Sequence, residues 1–172
     1  RKSVNVLLKM DKYIDVLVPR GGKSLIENIR KNSSIPVFSH LDGICHTYID
    51  KFAKTSTAVN VSYNAKMRRT SICGATETIL CHKKAVKDIL LLLIKRLIKN
   101  NCIVKGDNNL KKINHKVMSV KKEDWATEYL DAIVSIKIVN SLEEAIKHIN
   151  LYSSGHTDAI ITESVSAARK FL

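Results

Sequence analysis

The chain has 172 residues, 45% of them apolar and 26% charged. That balance excludes intrinsic disorder, and the length suits one domain or two small lobes with a sizeable core. Lys and Arg number 29 against 16 Asp and Glu, a formal net charge of +13. Most of those cations are lysines scattered along the whole length, with no basic arm and no aromatic interleaving. They read as a solvated surface, not a nucleic-acid groove.

The longest apolar run, residues 89–94, is too short to span a bilayer, and no stretch has the make-up of a signal peptide. The expectation is a cytoplasmic protein that binds neither membrane nor nucleic acid. Cys45, Cys73, Cys81 and Cys102 form no Cys-x-x-Cys pair and have no His at zinc-ligand spacing. Neither a disulfide framework nor a metal site is expected, and the four read as independent thiols.

In chain order, residues 4–10 repeat apolar side chains at helical spacing. Ile14-Asp15-Val16-Leu17-Val18 is a compact β-branched run that predicts a buried strand. Pro19-Arg20-Gly21-Gly22 stops it, Leu25, Ile26 and Ile29 resume a helical face, and Asn32-Ser33-Ser34 closes that helix. Pro36-Val37-Phe38 begins another short strand, and Gly43 breaks the chain before a strand at 45–49. Strand, glycine turn, helix, strand is the rhythm of an α/β layered sheet.

The same alternation continues. Residues 58–67 are helical in pattern, 76–81 are extended, and 86–100 carry the strongest helical signal. Ile103-Val104 is a short strand, and the polar stretch 105–116 predicts loop. Residues 132–139 predict a strand, Ser141-Leu142-Glu143-Glu144 a helix start, 157–162 a last strand, and Ser164 a final helix. The chain opens without Met and stops inside that helix, the pattern expected of a portion of something larger.

Asn64-Ala65-Lys66-Met67-Arg68-Arg69-Thr70-Ser71-Ile72-Cys73-Gly74-Ala75 is the most informative segment. A Cys in a turn between helix and strand, with Lys66, Arg68 and Arg69 upstream, sits in a positive field that favours the thiolate. Gly74 allows close approach, and backbone N–H groups of such a turn can stabilise an oxyanion. On spacing alone, a packed and inert Cys with solvated basic neighbours fits as well.

That segment, continued through Thr76 and Glu77, resembles the gamma-glutamyl phosphate reductase (glutamate-5-semialdehyde dehydrogenase) family of the aldehyde dehydrogenase superfamily. So do Asp15-Val16-Leu17-Val18-Pro19-Arg20-Gly21-Gly22-Lys23 and His40-Leu41-Asp42-Gly43-Ile44-Cys45-His46 before it. Asp124-Trp125-Ala126-Thr127-Glu128-Tyr129-Leu130 and Ser154-Gly155-His156-Thr157-Asp158-Ala159-Ile160 follow in order. The chain resembles the middle portion of such proteins.

The resemblance implies a three-layer α/β catalytic domain of aldehyde-dehydrogenase type over 49–172, incomplete at its C-terminal end. The tail of a Rossmann-like dinucleotide-binding domain would occupy 1–48. It implies NADPH-dependent reduction of L-glutamyl 5-phosphate to L-glutamate 5-semialdehyde and phosphate, in proline biosynthesis, with homo-oligomer formation left to the full-length protein. Cys73 would be the nucleophile that forms a thioester. Gly21, Gly22 and Glu128 are expected at the cofactor NADP(H), and Asn64, His156 and Asp158 on the substrate side.

His40 falls where other aldehyde dehydrogenases carry the Glu that hydrolyses the thioester, a carboxylate that a reductase is better without. Ser71 stands where the family has Gly, a strained choice if the position needs a positive φ. Two other readings stay open: a non-catalytic remnant of this enzyme, and a basic nucleic-acid-binding module.

Overall fold

The computed structural model describes residues 2–39 and 42–172, with the side chains of Lys2 and Lys23 set aside. Contacts divide the chain into two compact units, Arg1–Asp42 and Gly43–Leu172.

In the first unit, helices α1 (Lys2–Leu7) and α2 (Lys23–Asn32) accompany a single parallel bridge between Leu17 and Val37. The Leu17 N–H donates to the Pro36 carbonyl at 2.9 Å, and the Phe38 N–H donates to the Leu17 carbonyl at 2.8 Å. Leu8, Ile26, Ile29 and Ile35 form the buried set. The buried strand expected at 14–18 is corrected here, since Val16 and Val18 are 41% and 64% exposed. A strand covered on both faces needs paired neighbours and packed layers, and one bridge supplies neither.

The second unit is built on a six-stranded, wholly parallel sheet. Its strands are β1 (Cys45–Ile49), β2 (Thr76–His82), β3 (Ile103–Gly106), β4 (Met118–Ser119), β5 (Ile133–Val139) and β6 (Asp158–Ile161), in the order β4-β3-β5-β2-β1-β6. Every residue of β1 and β2 is buried, as befits central parallel strands with helices on both faces. Strand β1, expected to close the first segment, pairs with β2 and β6 of this sheet.

Alternation along the strands separates two apolar clusters. Ile49, Ile79, Cys81, Val134 and Ile136 pack toward α3 (Thr55–Met67) and α4 (Leu91–Lys99). Tyr48, Leu80 and Val139 pack toward α6 (Leu142–Tyr152), with Phe171 of α7 (Val165–Phe171) at their edge. Ser141 and Ser164 cap α6 and α7 as the sequence predicts, accepting from the Glu144 and Ala167 N–H groups.

Two elements differ from expectation. The helix predicted from residue 86 begins with a π turn, Val86–Leu90, ahead of α4. The His82 ring accepts the Lys84 N–H at 3.1 Å and sets up a tight 3-10 turn that leads into it. The stretch expected to be loop contains α5 (Asn108–Ile113), started by the Asp107 carboxylate, which accepts the Asn109 and Leu110 N–H groups at 3.0 Å each. No helix among the described residues is long and apolar enough to cross a membrane.

Candidate active site

Strands β5, β2, β1 and β6 are neighbours and run parallel, so the loops that precede them lie along one edge of the sheet. Glu128 precedes β5, Cys73 precedes β2, Gly43 precedes β1 and His156 precedes β6. Residues scattered over more than a hundred positions are thereby brought together by strand order.

Cys73 is half-buried, in the turn between α3 and β2 that closes through the Ala75 N–H to the Ile72 carbonyl at 3.0 Å. Gly43 lies against its backbone: a Cβ there would stand 2.1 Å from the Cys73 carbonyl oxygen. The Cys45 thiol donates to that same oxygen at 3.1 Å. Burial, helped by the charge of Asp158, pushes the Cys45 thiol up to about 11, so it remains a donor at neutral pH. On the open side the His156 ring lies over Gly74, its Cε1 3.9 Å from where a Cβ would stand, and Cys45 Sγ is 3.7 Å from His156 Nδ1.

The positive field expected around Cys73 is altered in one respect. Arg68 and Arg69 are exposed, but Lys66 is fully buried and donates to Glu77 Oε2 at 2.5 Å. Its charge is matched within the fold. Ser71 does not take the left-handed conformation; among the described residues only Asn101 and Leu130 do so without being glycine.

The turn before β6 is braced from within. Asp158 Oδ1 accepts the His46 backbone N–H at 3.0 Å and meets His46 Nδ1 at 3.1 Å, while Ser153 Oγ donates to Oδ2 at 2.6 Å. The Ile44 N–H donates to Ser154 Oγ at 2.9 Å, tying this turn to the start of β1. Although burial works against it, the bonds from His46 and Ser153 hold the Asp158 carboxyl below its usual range. In this geometry Asp158 is a brace for the loop that carries His156.

The loop before β5 rests on Glu77, a residue of the matched motif to which the sequence assigns no role. Glu77 Oε1 accepts the Leu130 N–H at 3.3 Å. The Tyr129 hydroxyl donates to Asp124 Oδ1 at 3.0 Å and lies 2.7 Å from Ser135 Oγ, and Lys105 donates to Asp124 Oδ1 at 2.6 Å. Glu128 itself is half-buried. Asn64 is exposed in the last turn of α3, where its carbonyl accepts the Arg68 N–H at 3.1 Å.

Gly21 and Gly22 belong to the first unit, where Gly22 is the residue before α2 and makes no side-chain cap. His40 lies outside the described residues. Among the described residues no group of three or more His, Cys, Asp or Glu side chains is placed to hold a metal ion.

No family model matches the chain. It is 50% identical over 172 residues to the gamma-glutamyl phosphate reductase of Rhodospirillum rubrum, covering all of this chain and 40% of that protein. The crystal structure of gamma-glutamyl phosphate reductase from Thermotoga maritima superposes with a TM-score of 0.93 at 38% identity, over 99% of this chain and 41% of that one. An acetylating aldehyde dehydrogenase from Geobacillus thermoglucosidasius shares the fold, with a TM-score of 0.72 at 17% identity, over 98% of this chain and 46% of that one. The chain is thus homologous to gamma-glutamyl phosphate reductase along its whole length, and spans about 40% of the length of the relative from Rhodospirillum rubrum.

Proposed function

We propose that this chain, a homologue of gamma-glutamyl phosphate reductase, carries the thiol-bearing portion of such an enzyme. The reaction is NADPH-dependent reduction of L-glutamyl 5-phosphate to L-glutamate 5-semialdehyde and phosphate, in proline biosynthesis in the cytoplasm. The observation that carries it is the Cys73 turn, gripped from behind by Gly43 and Cys45 and open beneath His156, on a sheet of aldehyde-dehydrogenase type. In that reading the catalytic layer, expected from residue 49, takes in the whole of β1 as well, and the first unit is the end of a Rossmann-like domain.

Cys73 Sγ attacks the acyl carbon of the substrate; the S–C bond forms, the C–O bond to phosphate breaks, and phosphate departs, leaving a thioester. Backbone N–H groups of this turn, that of the exposed Gly74 among them, would stabilise the oxyanion. His156 and Asn64 face the polar glutamyl end, and Asp158 serves that side through the loop it braces.

The residues present fit a dinucleotide. A Cβ at Gly22 would have no atom within 4 Å, and the start of α2 is not closed by a side-chain cap, so a phosphate has open approach to backbone N–H groups. Gly21, Gly22 and Glu128 would hold NADP(H). When bound, that cofactor supplies the hydride that reduces the thioester, after which the aldehyde departs and the thiolate is restored.

The test is phosphate-dependent reduction of NADP with glutamate 5-semialdehyde, by the protein expressed from its complete reading frame. Turnover that disappears in Cys73→Ala is the expected result. A Cys73→Ala protein with undiminished rate removes the mechanism, and a folded parent with no turnover and no NADPH affinity makes the chain a remnant.

A further inference from the structure

We propose that Glu77 is a positioning residue that ties the Glu128 loop to the Cys73 turn, and so governs nucleotide affinity without touching the nucleotide. The proposal rests on the reading of Glu128 given above.

Lys66 and Glu77 stand at the two ends of the turn that presents Cys73, one in the last turn of α3 and the other on β2. Their side chains are 0% and 1% exposed. A buried ion pair returns little net stability once both charges are desolvated, so its presence here invites a second role. That role is visible in the other carboxylate oxygen. Oε1 accepts the Leu130 N–H at 3.3 Å, and the Tyr129 amide is turned to the same carboxylate.

Leu130 has φ 53°, a left-handed conformation that an L-residue with a branched side chain adopts only when its surroundings impose it. Glu77 provides that constraint from the sheet side. Tyr129 is held from other sides as well, its hydroxyl between Asp124 and Ser135 and its ring 4.8 Å from Lys105 Nζ and 5.9 Å from Lys66 Nζ. With Tyr129 and Leu130 both fixed, the direction of the adjoining Glu128 is fixed as well. One carboxylate therefore spans two neighbouring loops of the edge, one bearing the nucleophile and the other the nucleotide-facing acid.

Two double variants of the protein expressed from its complete reading frame separate this role from simple packing. Lys66→Met with Glu77→Gln removes the ion pair but keeps a carbonyl for the Leu130 N–H. Lys66→Met with Glu77→Leu removes both and leaves no unpaired charge behind. In the Leu variant, hydrogen exchange over 127–131 is expected to rise at least tenfold and KM for NADPH about tenfold, with kcat within threefold of the parent. The Gln variant is expected to stay within threefold of the parent in all three.

Equal exchange and equal KM in the two variants would overturn the proposal. Should the parent lack turnover, the functional reading fails, while exchange over 127–131 still decides whether Glu77 holds the loop. Should the Leu variant not fold, Lys66→Met with Glu77→Met, closer to glutamate in length and equally unable to accept the Leu130 N–H, takes its place. It is expected to raise the same exchange and KM severalfold, and no change there would equally overturn the tie.

Discussion

Gly43 and Cys73 touch through their backbones so closely that a single methyl on Gly43 would lie 2.1 Å from the Cys73 carbonyl oxygen and 2.8 Å from its Cα. The obstructing atoms are main chain, not a flexible side-chain end, so Gly43→Ala must move the Cys73 turn, the start of β1, or both. We expect turnover to fall at least a hundredfold, with stability lowered by about 1–3 kcal/mol. Steady-state kinetics and thermal unfolding of the variant check this, and unchanged kinetics would show that the turn tolerates displacement.

The four thiols should separate cleanly under alkylation. Burial pushes Cys45 up to about 11, Cys81 up to about 12 and Cys102 up to about 11, and all three are buried. Cys73 is half-buried, beside a glycine. Mass spectrometry after brief iodoacetamide treatment at pH 7.5 should find Cys73 modified and the other three unmodified. Labelling of Cys45 at a comparable rate would contradict its enclosure.

Stability should fall as the solution is acidified through the imidazole range. His148 is 4% exposed and touches the rings of His46, Trp125 and Tyr152. Burial, aided by the charge of Lys137, lowers it from 6.5 to about 3. The folded state keeps this ring neutral while the unfolded chain protonates it, so its share of stability is whole above pH 6.5. That share is lost as pH falls toward 3, on the order of a few kcal/mol. Denaturant melts across that window should show the slope, and His148→Phe should flatten it.

Helix α5 depends on one cap. The Asp107 carboxylate accepts two N–H groups of its first turn at 3.0 Å each, and the helix is six residues long. Asp107→Ala should cost about 1 kcal/mol and raise hydrogen exchange over 108–113, without changing the kinetics of a site on the opposite strands.

The sequence made the rhythm of the sheet legible because apolar and β-branched runs fill β1, β2, β5 and β6, and Gly43, Gly74 and Gly155 break the chain ahead of β1, β2 and β6. It made Cys73 legible because a basic, glycine-flanked Cys is chemically unusual. Helix α5 was obscured by its polarity: only Leu110 is buried in it, and an Asp cap inside a Lys- and Asn-rich stretch looks like a turn. Residues 14–18 were misread because apolar content signals burial without saying how many partners will cover it.

The partnership of Lys66 and Glu77 could not be seen, since their separation of 11 residues fits no local period. It arises only when α3 is laid on the face of β2 that carries Ile79. Asp158, expected on the substrate side, likewise makes a contact with His46 that spans 112 positions of sequence and that no local spacing reveals.

The lateral bonding of β5, β2, β1 and β6 gives the edge that carries the loops a built-in ruler. Adjacent strands sit about 4.8 Å apart, so the outer two roots are roughly 14 Å from one another, whatever happens in the segments above them. Lengthening or shortening one segment changes how far it reaches but not the interval at which it is planted. Such an architecture lets a lineage retune which metabolite is gripped, one segment at a time, while the sulfur stays where it is.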